Sequence, residues 1–153
     1  MVEDKAHSTL FGALTQSLLS EGLGFRFRAC GRSMQPTIQD GEILRVRPVA
    51  VETLRRGDIV LFADGLSYKA HRLVWIDSAQ GTFVACGDAG AVTDRAVDTG
   101  KILGLVVSKE EDSGEQIRVI PLNGRRVRLK FLARKARART ARFLRDVRVL
   151  RSS

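Results

Sequence analysis

The chain predicts a mainly β fold, a compact antiparallel β-barrel or pair of sheets flanked by one helix at each end. Three observations carry that expectation. From Phe25 to about Val107, short apolar runs alternate with period two and are separated by turn signals. On either side of this stretch, apolar residues recur at three- and four-residue spacing, the period of a helix. A hydrophobic fraction of 44% against 28% charged residues, in 153 residues, suits one domain with a buried core.

The elements follow in order. Residues 1–24 predict an amphipathic helix. Met1 to Ala6 are polar and expected to fray, Ser8 stands where a cap belongs, and Gly22 and Gly24 end the run. Leu10, Phe11, Leu14, Leu18 and Leu19 form the face expected to pack on the body. A membrane span needs about 20 mostly apolar residues. Leu10 to Leu23 is shorter and is interrupted by Thr15, Gln16, Ser17, Ser20 and Glu21, so no span is expected. No N-terminal stretch has the basic, apolar and small-residue order of a secretory signal.

Residues 25–120 predict the β-domain. Its strands are Phe25–Cys30, Glu42–Arg47, Asp58–Phe62, Tyr68–Ile76, Thr82–Cys86, Ile102–Val107 and Ile117–Ile120, with turns at Gln39-Asp-Gly, Arg56-Gly-Asp, Ala63-Asp-Gly and Gln80-Gly. Glu110 to Glu115 reads as an acidic loop, and Pro121-Leu-Asn-Gly as a break. Residues 121–153 predict a basic amphipathic helix with Leu129, Leu132, Ala136, Thr140, Phe143, Val147 and Leu150 on one side.

The formal charge of +9 is unevenly spread: 12 of the 26 Lys/Arg, but only Asp146 of the 17 acids, lie from Arg125 onward. The excess therefore describes the partner of residues 125–151. An anionic membrane surface and packing on the body or on a partner protein are the two favoured expectations. Nucleic acid is a weaker third, because no base-reading motif accompanies the charge. Two cysteines, Cys30 and Cys86, and two histidines lack metal-site spacing, so neither metal nor cofactor is expected. Unpaired thiols fit a reducing compartment, hence a cytoplasmic location, with the tail able to hold the chain at the inner face of the membrane.

Gly31-Arg32-Ser33-Met34-Gln35-Pro36-Thr37-Ile38 follows a strand. A serine becomes a nucleophile only when a base takes its proton, and Ser33 by itself reads equally as a turn residue. Of the two histidines, His71 lies mid-strand, where a half-buried imidazole titrates near neutrality. Lys69, two residues earlier on the same strand face, is the rival base. Asp88 and Asp94 are available to orient an imidazole, or simply to form turns.

The ordered set Gly31-Arg-Ser-Met-Gln-Pro-Thr-Ile, Asp40-Gly41, Arg56-Gly-Asp-Ile-Val-Leu-Phe, His71-Arg-Leu-Val and Gly87-Asp88 resembles the signal peptidase I and LexA-like serine peptidase clan. The resemblance spans about Phe25 to Val107 and implies that clan's β-fold. It implies Ser33 as nucleophile. His71-Arg72 resembles the archaeal and endoplasmic-reticulum branch, in which histidine replaces lysine as base, and there Asp94 joins the catalytic set with Asp88 supporting it. The oxyanion and substrate groove would involve Gly31, Arg32, Met34 and Pro36. Many signal peptidases carry a serine where Gly31 stands, so stabilisation here would rest on backbone N–H groups, and a slow enzyme is consistent with that.

The function expected from this resemblance is a serine endopeptidase acting on precursor or leader-bearing polypeptides, with small residues before the cut. Two other classes compete with it. A self-cleaving LexA-like regulator would need a DNA-binding domain, for which the residues before Phe25 leave no room. A peptide-binding module docked by its basic tail would work without Ser33.

Overall fold

The computed structural model describes residues 2–90, 94–112, 114, 116–124, 127–129, 131 and 133. The helix α1 (Val2–Ser20) precedes eight strands: β1 (Phe25–Arg28), β2 (Ile43–Arg47), β3 (Ile59–Asp64), β4 (Ser67–Asp77), β5 (Thr82–Cys86), β6 (Val97–Asp98), β7 (Ile102–Asp112) and β8 (Ile117–Pro121). The strands form one antiparallel sheet in the order β1-β2-β7-β3-β4-β5-β6, with β8 also on β7, curled into a half-barrel. The fold is mainly β, as the alternating runs predict.

Curling lets the sheet bury both of its faces. On β3, Ile59 and Leu61 join Leu44, Val46, Val106, Met34 and Ile38 in one core. Val60 and Phe62 point the other way, into a core with Leu54, Leu73, Phe83 and Ala85. A strand covered on both sides reads as an unbroken apolar run, which is what Ile59-Val-Leu-Phe62 is.

The strand β4 changes neighbours along its length. It pairs with β3 from Ser67 to Arg72 and with β5 from Arg72 to Asp77. Among the described residues, the edge of Ser67–His71 that faces away from β3 therefore has no strand on it. The strand β1 likewise ends the sheet, paired only with β2. These two open edges bound the groove described below.

Several expectations need correcting. The helix α1 starts at Val2, six residues before Ser8, so Ser8 is interior and not a cap. The order of residues favours that start, because acids in a first turn, as in Val2-Glu3-Asp4, suit the positive end of a helix dipole. Its buried face is also rotated from the expected one. Leu10 and Leu14 are more than half exposed, while Thr15 is buried and Phe11 lies against Phe25, Phe27 and Tyr68. Gly12 lies on the buried face: a Cβ there would meet the Tyr68 hydroxyl at 1.9 Å and would have to displace that side chain.

The expected acidic loop at Glu110–Glu115 begins as strand, since β7 continues to Asp112. Two neighbouring strands supply counter-charges that make this favourable. Glu110, nearly buried, accepts from Arg45 Nε at 2.6 Å and from Arg26. Lys109 bridges Glu42 at 2.8 Å and Glu111 at 3.0 Å. The short strand β6 has no alternation to betray it. In the C-terminal segment, Phe131 is buried and Leu129 exposed, the reverse of the expected stripe. Most of the predicted basic helix, including Leu132, Ala136, Thr140, Phe143, Val147 and Leu150, lies outside the described residues. No described helix is long and apolar enough to cross a membrane.

Hydrogen bonds from Arg45, then Arg26, hold the Glu110 carboxyl below the usual carboxylate range. A depressed folded-state value stabilises the fold above the unfolded value of about 4.3. That contribution is lost as pH falls through the folded value. Glu110→Gln should therefore melt at a lower temperature than wild type at neutral pH. The gap should close on acidification below the ordinary carboxylate range, as followed by thermal melts across pH.

Candidate functional site

The site forms where β4 exchanges β3 for β5. His71 stands one residue before that exchange, on the stretch whose second edge is open. Its ring is nearly buried and meets Phe62 edge-on at 6.2 Å between centroids. Ser33 reaches it from the loop after β1 and is exposed to solvent. Asp94 reaches it from beyond β5 and is tied back to that strand by its N–H donating to Ala85 O at 2.8 Å.

Ser33 Oγ lies 3.0 Å from His71 Nε2, and His71 Nδ1 lies 2.7 Å from Asp94 Oδ2. A carboxylate can only accept, which assigns the imidazole proton to Nδ1. The Nε2 lone pair then accepts the Ser33 hydroxyl. The three residues singled out in the sequence thus form one hydrogen-bonded relay, with the serine on its open side.

Lys69 is engaged elsewhere. Its Nζ lies 2.5 Å from Asp64 Oδ2 and 3.9 Å from Asp94 Oδ1. The Asp64 hydrogen bond raises its pKa above the usual lysine value. Asp64 is correspondingly lowered by the same bond. An ammonium held charged through the neutral range cannot accept a proton there, and its nearness to Asp94 adds positive potential beside the carboxylate.

Asp88 pairs with Arg72, the residue after His71. It accepts from Arg72 Nε at 2.9 Å and from Arg72 Nη2 at 2.7 Å, with both side chains almost fully buried. It also accepts from Thr37 Oγ1 at 2.5 Å, and Thr37 lies on the loop that carries Ser33. Its role is to brace that loop.

The loop is held from the other side by the turn after β5. Ala89 N–H donates to Ser33 O at 2.9 Å, and Gly87 packs directly on Ser33. Sequence reasoning noted Gly87 only as part of a pair. Its requirement is steric, since a Cβ would stand 2.4 Å from the Ser33 carbonyl oxygen.

Of the four residues expected at the oxyanion and substrate groove, Gly31 and Met34 line it. Arg32 and Pro36 do not; both are exposed. Gly31, at φ +98°, makes the turn into the loop and spends its N–H on Asp40 Oδ1 at 2.7 Å. Its N–H is therefore not a free oxyanion donor. The Ser33 N–H has no acceptor among the described residues.

A groove of about 1070 Å³ leads away from the relay. Its walls are Phe27 to Gly31 on one side and Leu66 to His71 on the other, the two open strand edges. The buried Met34, Ile38 and Leu44 form its floor, and Phe11 of α1 also lines it. Among the described residues, no group of His, Cys, Asp or Glu could hold a metal ion. Cys30 is exposed and Cys86 is buried.

Compared with known proteins, the chain matches no protein-family model, and no curated sequence matches it.

Gly87→Ala tests the packing behind Ser33. Because the obstacle is backbone, the loop must move, at a cost of about 1–3 kcal/mol. The variant should melt at a lower temperature by calorimetry and react more slowly at Ser33 with a fluorophosphonate probe.

Proposed function

We propose that the protein is a serine endopeptidase that binds an extended polypeptide in the groove and cleaves it through Ser33, His71 and Asp94. The observation that carries this reading is the relay itself, with spacings of 3.0 and 2.7 Å and the hydroxyl exposed at the head of a groove. A buried histidine satisfied for purely structural reasons has no need of an exposed serine on its second nitrogen.

The chemistry follows from the geometry. Ser33 Oγ attacks the scissile carbonyl carbon while its proton passes to His71 Nε2. Asp94, accepting from Nδ1–H, stabilises the imidazolium that results. The carbonyl oxygen takes up the negative charge, and the Ser33 N–H is the donor placed to receive it. As the tetrahedral intermediate collapses, the C–N bond breaks and the imidazolium gives its proton to the departing amine. Water, deprotonated by the same imidazole, then hydrolyses the acyl-Ser33 ester and restores the hydroxyl.

Two open strand edges facing each other across an apolar floor suit a peptide bound as an added strand. Small side chains are expected before the cut. This is the substrate preference implied by the resemblance to the signal peptidase and LexA-like clan. In this reading the basic residues 125–151 serve an anionic surface, a membrane leaflet first among them, near which such polypeptides are met.

The test is cleavage of a leader-peptide library together with fluorophosphonate labelling. Ser33→Ala should abolish both. His71→Ala and Asp94→Asn should lower turnover by a factor on the order of 10³–10⁴. Equal signal in wild type and all three variants would refute the reading.

A further inference from the structure

Behind the relay lies an assembly that the proposed reaction does not itself use. Arg72 follows His71 on β4 and is almost completely buried. Its guanidinium is satisfied in its own plane: Nε and Nη2 donate to Asp88, and Nη1 donates to the Gly57 carbonyl at 2.8 Å. In-plane bonds leave a guanidinium's faces to be covered. Phe131 covers one of them, with Arg72 Cζ 5.0 Å from the ring centroid.

Phe131 belongs to the C-terminal segment, which is fastened at a second point. Arg128 N–H donates to Gly124 O at 3.0 Å, and Arg128 Nε forms a 3.0 Å ion pair with buried Asp58, at an angle outside hydrogen-bond geometry. The Arg128 side chain also lies over Gly57, close enough that a Cβ there would meet it at 3.2 Å. One residue of the segment therefore covers the glycine whose carbonyl holds Arg72, and another covers Arg72 itself.

We propose that Phe131 is a positioning residue for the relay. Its ring fixes the tilt of the Arg72 guanidinium, the guanidinium fixes Asp88, and Asp88 holds the Ser33 loop through Thr37 and the Gly87 turn. An aromatic face is directional toward a cation, whereas an aliphatic side chain of the same bulk only fills space. Without the ring, Arg72 is free to rock, and each rocking motion reaches both His71, its neighbour in the chain, and the loop that carries Ser33. The residues after Pro121 are then part of the active-site support and not only a carrier of charge. The inference rests on the Ser33–His71–Asp94 reading above.

The experiment compares the full chain with Phe131→Leu, Phe131→Met and Phe131→Tyr by two measurements. One is the rate of Ser33 labelling by a fluorophosphonate. The other is the pH titration of the His71 ring nitrogens by NMR, which needs no turnover. Leu and Met should slow labelling by about tenfold, the size expected of a desolvated cation–π contact, and should displace the His71 titration. Tyr should restore both.

A Leu or Met variant indistinguishable from wild type in both measurements overturns the proposal. So does a Tyr variant as impaired as Leu. Should Leu fail to fold, Met carries the comparison, since its flexible chain fills irregular space. A wild-type chain that does not label, but whose His71 titration moves in Phe131→Leu and returns in Phe131→Tyr, refutes the peptidase reading and leaves the positioning role standing.

Discussion

A guanidinium taken out of water needs new hydrogen-bond partners, and each nitrogen of the buried Arg72 finds one. Its partners come from three separate stretches: Asp88 after β5, the Gly57 carbonyl before β3, and Phe131 near the C-terminus. Removing one member of such a buried pair leaves the other uncompensated, at a cost of about 3–5 kcal/mol. The pair's net contribution to stability is modest. Its structural consequence is that three separate stretches meet at one buried charge.

That arrangement is also the one that brings the relay together. Arg72 marks the residue at which β4 leaves β3 for β5, and His71 stands just before the change. The strand thereby gains an open edge where Ser33 and Asp94 can approach the imidazole from two directions. Asp88, drawn in by Arg72, anchors Thr37 on the Ser33 loop, while Gly87 permits that loop to lie against the turn. The same open edge becomes a wall of the groove, with β1 opposite. Fold, relay and groove are consequences of a strand that is paired on different sides along its length.

Much of this is legible in the sequence, and for specific reasons. The strands alternate or run apolar because their environments do, so all but β6 are visible in the residue pattern alone. Ser33, His71 and Asp94 stand out because serine, histidine and acid recur in an order that resembles a known peptidase clan. What stays hidden depends on three-dimensional neighbours. Glu110 looks like a loop residue until Arg26 and Arg45 are brought beside it. Leu10 and Leu14 look like core until the helix is seen to bury its Gly12 face instead. Lys69 rivals His71 as a base on paper, and what separates them is that His71 meets Ser33 while Lys69 is paired with Asp64 across the hairpin. Phe131 falls outside its segment's predicted apolar stripe and is buried with Arg72 over its ring. A mid-strand arginine beside a candidate base is the one sequence signal that a buried acid, here Asp88, had to exist.

The central claim is that His71, and not Lys69, accepts the Ser33 proton. The most direct measurement is the pH dependence of fluorophosphonate labelling at Ser33 in wild type and in Lys69→Met. The account predicts that labelling of both rises with pH and levels off in the same way, so that removing the lysine leaves the profile in place. Labelling that appears only in the lysine range, and disappears with Lys69, would contradict it.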